Sequence, residues 1–301
     1  MSISVNRVTR VSGAVASVAD YVALTKPRVV SLLVVTGVCG YLAGAAGRVE
    51  ITVLLAVAGG GALAAGGANA LNCVFDRDLD ATMARTRNRP IPGGRVPVLH
   101  AVALGIAMNA VAALWLDRSA NLLAAALALA GTAWYLVVYT AWLKRRSTQN
   151  IVIGGAAGCF PPLVGWAAAT GTLDATALTL AGVIFLWTPP HFWALATLLR
   201  RDYRRAGIPM LPAVVSVRRT ANQAFVYAVA TVVVSLAPVL WGGAGALYTV
   251  SAAGLGGVFV SRAEAFRRDA DTATARRLFR YSLVYLAALF VALVVDRMLA
   301  G

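Results

Sequence analysis

At 301 residues, 59% hydrophobic and 13% charged with a mean hydropathy of +0.75, the chain is not a soluble globular domain. Such domains run at roughly 45–50% apolar and about 25% charged residues. The net charge of +15 would suggest nucleic acid on a soluble protein, but here the basic residues lie between apolar runs, which excludes that reading.

Apolar runs of about 20 residues, the length that crosses a bilayer, recur along the chain. They predict an all-α polytopic membrane protein with spans at 28–46, 51–72, 98–116, 121–143, 150–170, 175–196, 222–242, 245–261 and 280–298, nine helices forming one domain over 28–298. Residues 1–27 read as a basic N-terminal arm, its apolar stretch too short and broken for a signal peptide. Of the 27 Lys and Arg, 24 fall in this arm through Arg28 and in the connections 73–97, 144–146, 200–219 and 262–280. The alternate connections hold only Arg48, Arg118 and Arg297. The positive-inside rule then puts the N-terminus and the long basic loops in the cytoplasm and the C-terminus outside. Arg far in excess of Lys, with abundant Ala, favours a bacterial plasma membrane over the mitochondrial inner membrane.

The second span runs into Ala70-Leu-Asn-Cys-Val-Phe-Asp-Arg-Asp-Leu-Asp-Ala81. Asn72, Asp76 and Asp80 recur every four residues, so a helix carries all three on one face, each about 6 Å further along the axis. Asp78 lies about 200° round from Asp76 and is expected to face solvent. Ionised side chains are costly inside a bilayer and normally serve a site or face water. A row of hard oxygen donors suits Mg²⁺, which usually arrives with phosphates. Arg85, Arg87 and Arg89 follow at alternate positions, able to take diphosphate oxygens.

The connection after the fourth span carries Lys144-Arg145-Arg146, either ordinary positive-inside anchors or, facing the same compartment as the acids, a diphosphate contact through Lys144. The sixth span contains Trp187-Thr-Pro-Pro-His191-Phe-Trp193. Its double proline is expected to break the helix. His191 beside that break reads as a functional residue or an interhelical hydrogen bonder. Asp202 is the only acid of the following loop, Arg200-Arg-Asp-Tyr203, and so is a candidate second metal ligand or a partner for neighbouring Arg. The two unusual loops, 72–97 and 187–219, stand four spans apart, which suggests an old duplication of a four-helix unit. Cys39, Cys73 and Cys159 show no metal-ligand spacing. No nucleotide-binding glycine loop, dinucleotide fingerprint or serine elbow is present, so ATP-driven transport and covalent acyl chemistry have no support. An ion-coupled transporter also places acids and broken helices in membranes, but near the midplane rather than at helix ends.

These residues resemble the UbiA superfamily of intramembrane prenyltransferases. Asn72-x₃-Asp76-x₃-Asp80 resembles its first aspartate-rich motif. The fuller words resemble its protohaem IX farnesyltransferase (haem O synthase) branch. They are Arg85-Thr-Arg-Asn-Arg-Pro90, Gln149-Asn-Ile-Val-Ile-Gly-Gly-Ala-Ala-Gly158, Trp187-Thr-Pro-Pro-His-Phe-Trp193, Asp202-Tyr203 with Gly207-Ile-Pro-Met-Leu-Pro212, and Lys26-Pro-Arg28 at the first span. The match runs from about 20 to 298. Ala206 stands where many members carry a second Asp-x₃-Asp partner for Asp202.

The resemblance implies nine helices around a central cavity. It implies transfer of a farnesyl group from farnesyl diphosphate to a vinyl group of haem b, giving haem O. In that scheme Asn72, Asp76, Asp80 and Asp202 hold Mg²⁺, and Arg85, Arg87 and Lys144 neutralise the diphosphate. His191, Trp187 and Tyr203 contact haem. The product feeds a haem A synthase or a terminal oxidase. Prenylation of an aromatic, quinone-type acceptor is the alternative within the superfamily; the Trp-Thr-Pro-Pro-His stretch argues against it.

Overall fold

The computed structural model describes residues 16–300. The first fifteen residues of the expected N-terminal arm lie outside the described residues. The rest of the arm contains a short helix, α1 (Val18–Thr25), capped by Ser17 and Asp20 in a reciprocal box. Leu24 of α1 is fully buried with Ala70, Cys73, Ile91, Val96 and Ala101. An Arg95–Asp20 ion pair at 2.8 Å and a Tyr21–His100 hydrogen bond at 2.9 Å tie α1 to the chain beneath the third span.

The longer helices are α2 (Pro27–Ala45), α3 (Ile51–Phe75), α5 (Val98–Ser119), α6 (Leu122–Ala133), α8 (Phe160–Thr170), α9 (Ala175–Leu198), α12 (Val217–Ser235), α13 (Ala246–Asp269) and α14 (Thr272–Ala300). Short helices α4 (Arg77–Thr82), α7 (Asn150–Gly154), α10 (Arg200–Arg205) and α11 (Leu211–Val214) fill the connections. Eight segments among the described residues are long and apolar enough to cross a membrane. The ninth expected span is α13, 24 residues long but carrying Arg262, Glu264, Arg267 and Arg268 in its last turns. The chain is an integral membrane protein.

Three expectations change. The double proline does not break the sixth span: α9 runs unbroken through Pro189 and Pro190. Close packing against α12 and α14 holds the helix although two N–H donors are missing. The basic loop 262–280 is not a loop, because α13 and α14 extend as polar helices to a sharp turn at Ala270 (φ 54°). The fourth span is not one α-helix: after Ala133 it continues as a π-helix, Trp134–Leu143.

Small residues set the tightest crossings. A methyl group on Gly67 would come within 2.8 Å of the Gly105 carbonyl, which fixes α3 against α5. One on Gly165 would collide with the Gly37 carbonyl, which fixes α8 against α2. Helices α2, α3, α5, α6 and α8 form one half; α9, α12, α13 and α14 form the other. The ring closes where α14 meets α2. There Arg297 donates to the Ala43 carbonyl at 2.6 Å and to the Gly243 carbonyl at 3.1 Å and lies over the Trp166 ring, while Asp296 caps the first turn of α13.

Candidate active site

A cavity of about 680 Å³ opens among α2, α3, α6, α8 and α9. Cavities of this size suit a small-molecule ligand, the usual range being roughly 300–1,000 Å³. Its walls are mostly apolar: Val29, Leu33, Val57, Phe160, Phe192 and Leu195 among others. Polar groups gather at the foot of α3.

Asn72, Asp76 and Asp80 all line this head of the cavity and are all buried. Helix α3 formally ends at Phe75, yet Asp76 N–H donates to the Asn72 carbonyl at 2.9 Å and Asp80 N–H to the Asp76 carbonyl at 2.7 Å. The helical spacing therefore carries through the junction, and the three side chains share one face as expected. Asp78 points outward and pairs with Arg145 at 2.7 Å, which holds its carboxyl below the usual aspartate range.

Each acceptor meets one cation, and each cation comes from a different segment. Lys26, the left-handed residue (φ 53°) joining α1 to α2, donates to Asn72 Oδ1 at 2.6 Å. Lys144, at the end of the π-helix, pairs with Asp76. Arg89 pairs with Asp80 at 2.7 Å. Burial pushes the Lys26 ammonium below its ordinary pKa. Asp76 Oδ1 is buried and has no hydrogen-bond partner. A free buried carboxylate oxygen is costly unless a cation or donor completes it.

The π-helix shapes the facing wall. Tyr135, Tyr139 and Lys144 all line the cavity. Nine residues of α-helix turn about 900°, which would put Tyr135 and Lys144 on opposite faces. The wider turns, with Lys144 N–H donating to the Tyr139 carbonyl at 2.8 Å, bring them to one side. Gly154 leaves room for the Tyr139 ring, and Trp134 Nε1 donates to the Ile153 carbonyl at 3.0 Å.

Of the other residues singled out in the sequence, Arg85 and Tyr203 line the cavity. Arg87 is exposed, and neither it nor Asp202 forms part of the wall. His191 and Trp187 turn from the cavity to α14. Their rings stack at 4.2 Å between centroids; His191 Nδ1 lies 2.7 Å from Ser282 Oγ, and Trp187 Nε1 donates to the Ser282 carbonyl at 2.9 Å. The α9 residues that do face the cavity are Thr188, Phe192 and Leu195, followed by Leu199 just past the helix end. Sequence reasoning offered Arg89 only as one of three alternating arginines and gave no site role to Lys26, Tyr135 or Tyr139. Lys26 precedes a proline at a helix start and was legible only as a family word, whereas the π-turn that aligns the tyrosines leaves no periodic signal.

This fold, with a row of acceptors capping an apolar intramembrane cavity, defines its class: the chain belongs to the UbiA prenyltransferase family, whose model matches residues 33–291. Among solved structures, a digeranylgeranylglyceryl phosphate synthase superposes with a TM-score of 0.78 at 17% identity, covering 93% of this chain and 98% of the other. A UbiA homologue from Archaeoglobus fulgidus bound to GPP and Mg²⁺ gives 0.67 at 14% identity, covering 91% and 99%. Within the family the chain is similar to protohaem IX farnesyltransferases. It is 51% identical over 278 residues to that of Roseiflexus sp. (strain RS-1), covering 92% of this chain and 52% of the relative. It is 49% identical over 287 residues to that of Thermosynechococcus vestitus, covering 93% and 89%. The chain thus spans about half the length of the first relative and nearly all of the second.

Proposed function

We propose that this chain transfers the farnesyl group of farnesyl diphosphate to a vinyl group of haem b, forming haem O. The observation that carries the proposal is the pairing of Asn72, Asp76 and Asp80 with Lys26, Lys144 and Arg89 at the head of an otherwise apolar cavity. The relatives' name supplies the acceptor; the diphosphate half follows from the residues.

The donor set fits Mg²⁺. Among the described residues no group of three or more His, Cys, Asp and Glu converges. Two carboxylates and an amide oxygen line the same head of the cavity, and Asp76 Oδ1 is free. Mg²⁺ typically takes one or two carboxylates and completes its shell with water and substrate phosphates. Bound there, it would supply Lewis-acid neutralisation of the leaving diphosphate. Asp202, on α10 beside the cavity-lining Tyr203, is the candidate for a second cation.

The chain's own residues do the rest. Lys26, Lys144 and Arg89 stand where they can exchange carboxylate partners for diphosphate oxygens, with Arg85 at the same head and Arg87 on the exposed turn beside it. Charge neutralisation there lets the farnesyl C1–O bond break. Phe160, Phe192, Leu195 and their neighbours form an apolar wall that excludes bulk water from the allylic cation. The haem vinyl carbon attacks C1, water adds to the resulting haem-side cation, and a proton leaves. Diphosphate is the second product.

His191 is the candidate haem contact, with Trp187 stacked on it and Tyr203 on the cavity side. Ser282 Oγ lies 2.7 Å from both the Phe279 carbonyl and His191 Nδ1; with its hydrogen on the carbonyl it accepts from Nδ1–H. In that tautomer Nε2 keeps a lone pair suited to iron. The proposed topology keeps the acceptor row and the basic connections on the cytoplasmic side of a bacterial plasma membrane.

The test is an assay in membranes with haem b, farnesyl diphosphate and Mg²⁺, read by mass spectrometry. Haem O that vanishes with EDTA is expected. Prenylation of an aromatic acid with haem left unaltered would overturn the acceptor.

A further inference from the structure

Asn72 is the weakest member of the acceptor row, because an amide offers oxygen at one end and a donor at the other. A cation accepts only the oxygen end, so the amide's orientation decides whether the row has three oxygens or two. Two neighbours decide it. Lys26 carries only donors and lies 2.6 Å from one amide atom, which must therefore be Oδ1. The other end, Nδ2, donates to Thr140 Oγ1 at 3.0 Å. The Thr140 hydroxyl hydrogen is already committed to the Tyr135 carbonyl at 2.8 Å. Its oxygen can then only accept, which repels Oδ1 and holds Nδ2 in place. The Thr140–Tyr135 bond reaches back five residues, one more than the ordinary threonine back-bond in an α-helix, and it is made inside the π-helix. Thr140 is itself buried and stands behind the row rather than in the cavity wall.

We propose that Thr140 is a positioning residue that locks the Asn72 amide with its oxygen toward the cavity, and that the π-helical turn is what places it there. This rests on the proposal that the row holds a divalent cation. Thr140 touches neither cation nor substrate and acts only through Asn72.

The experiment measures Mn²⁺ binding to the full chain in detergent by electron paramagnetic resonance, with inorganic pyrophosphate and no haem. Thr140→Val keeps the shape and removes the acceptor; it is expected to weaken Mn²⁺ binding about tenfold or more, the usual effect of losing a group behind a metal ligand. Thr140→Ser restores the hydroxyl and should bind within about twofold of the parent. A valine variant that binds like the parent overturns the inference, as does a serine variant as weak as valine. Asn72→Asp gives a symmetric carboxylate with no orientation to set, so adding Thr140→Val to it should cost nothing further; the same loss in both backgrounds also overturns the inference. Asp76→Asn separates the two ideas. If it too leaves Mn²⁺ binding unchanged, the cation site itself is wrong. If it alone abolishes binding, only the role of Thr140 fails.

Discussion

The two segments richest in unusual residues, 72–92 and 187–212, contribute to the cavity in opposite ways. The first delivers polar groups: Asn72, Asp76, Asp80, Arg85 and Arg89 all reach its head. The second delivers mainly an apolar wall, Thr188, Phe192, Leu195 and Leu199, while Trp187 and His191 turn toward α14. What separates them is helix phase. The acids recur every four residues at the C-terminal end of α3, so one face collects them. Trp187 and His191 also stand four apart and share a face, but one turned about 100° from the face that meets the cavity. A distinctive motif therefore reports that a helix face is special without reporting what that face looks at.

Substitutions in the two segments sharpen this contrast. Asp76→Ala has the largest expected effect. It leaves Lys144 unpaired and removes a cavity oxygen, so turnover in membranes should fall at least ~10³-fold while the protein still inserts. Retained turnover would remove the first segment from the chemistry. Lys144→Met should cost about 10²-fold in kcat, the range for losing one charge-stabilising donor. An unchanged kcat with raised KM would assign it to binding alone. Asp202→Asn, outside the cavity wall, should cost about tenfold and shift the Mg²⁺ dependence; a loss equal to that of Asp76→Ala would show that the second segment supplies a full ligand.

His191→Gln should lower haem affinity by roughly tenfold, read as a changed Soret band on haem titration, with farnesyl diphosphate binding unaltered. An unchanged spectrum would leave His191 as packing between α9 and α14. The smallest effect belongs to the outward face. Asp78→Asn should leave activity within about twofold, since exposed pairs are worth little. Arg145 holds the Asp78 carboxyl below its ordinary 3.8, so the pair contributes above that pH and its contribution is lost as pH falls through the lowered value. The stability gap between the parent and Asp78→Asn proteins, read by denaturation across pH, should therefore hold steady above about pH 4 and close as pH falls below it.

The acceptor row was legible because a bilayer penalises stray carboxylates and a helix has a fixed period. The apolar spans, eight among the described residues, were legible for the same reasons, and their ends were not: polar turns of α13 and α14 read as loop although they are helical. Which arginine serves the row was also hidden. Arg85, Arg87 and Arg89 alternate through turns between Met83 and Val96, where side-chain direction has no period, and Arg89 is the one that reaches Asp80. The π-helix left no trace because Trp134–Leu143 is a mostly apolar run in which Thr140 alone breaks the pattern and shows no period. The double proline misled because its breaking tendency is local, whereas packing across α9 is not.

The seam at Arg297 has a consequence for how the molecule is made. Every residue lining the chamber belongs to the chain up to Met210, yet the first span is fastened at its far end by Arg297, 254 residues later in sequence than its partner Ala43. Synthesis runs from the N-terminus and early segments settle first. The chamber can therefore be assembled before α12, α13 and α14 have left the ribosome, and the seam that fastens it closes only once Arg297 has been made.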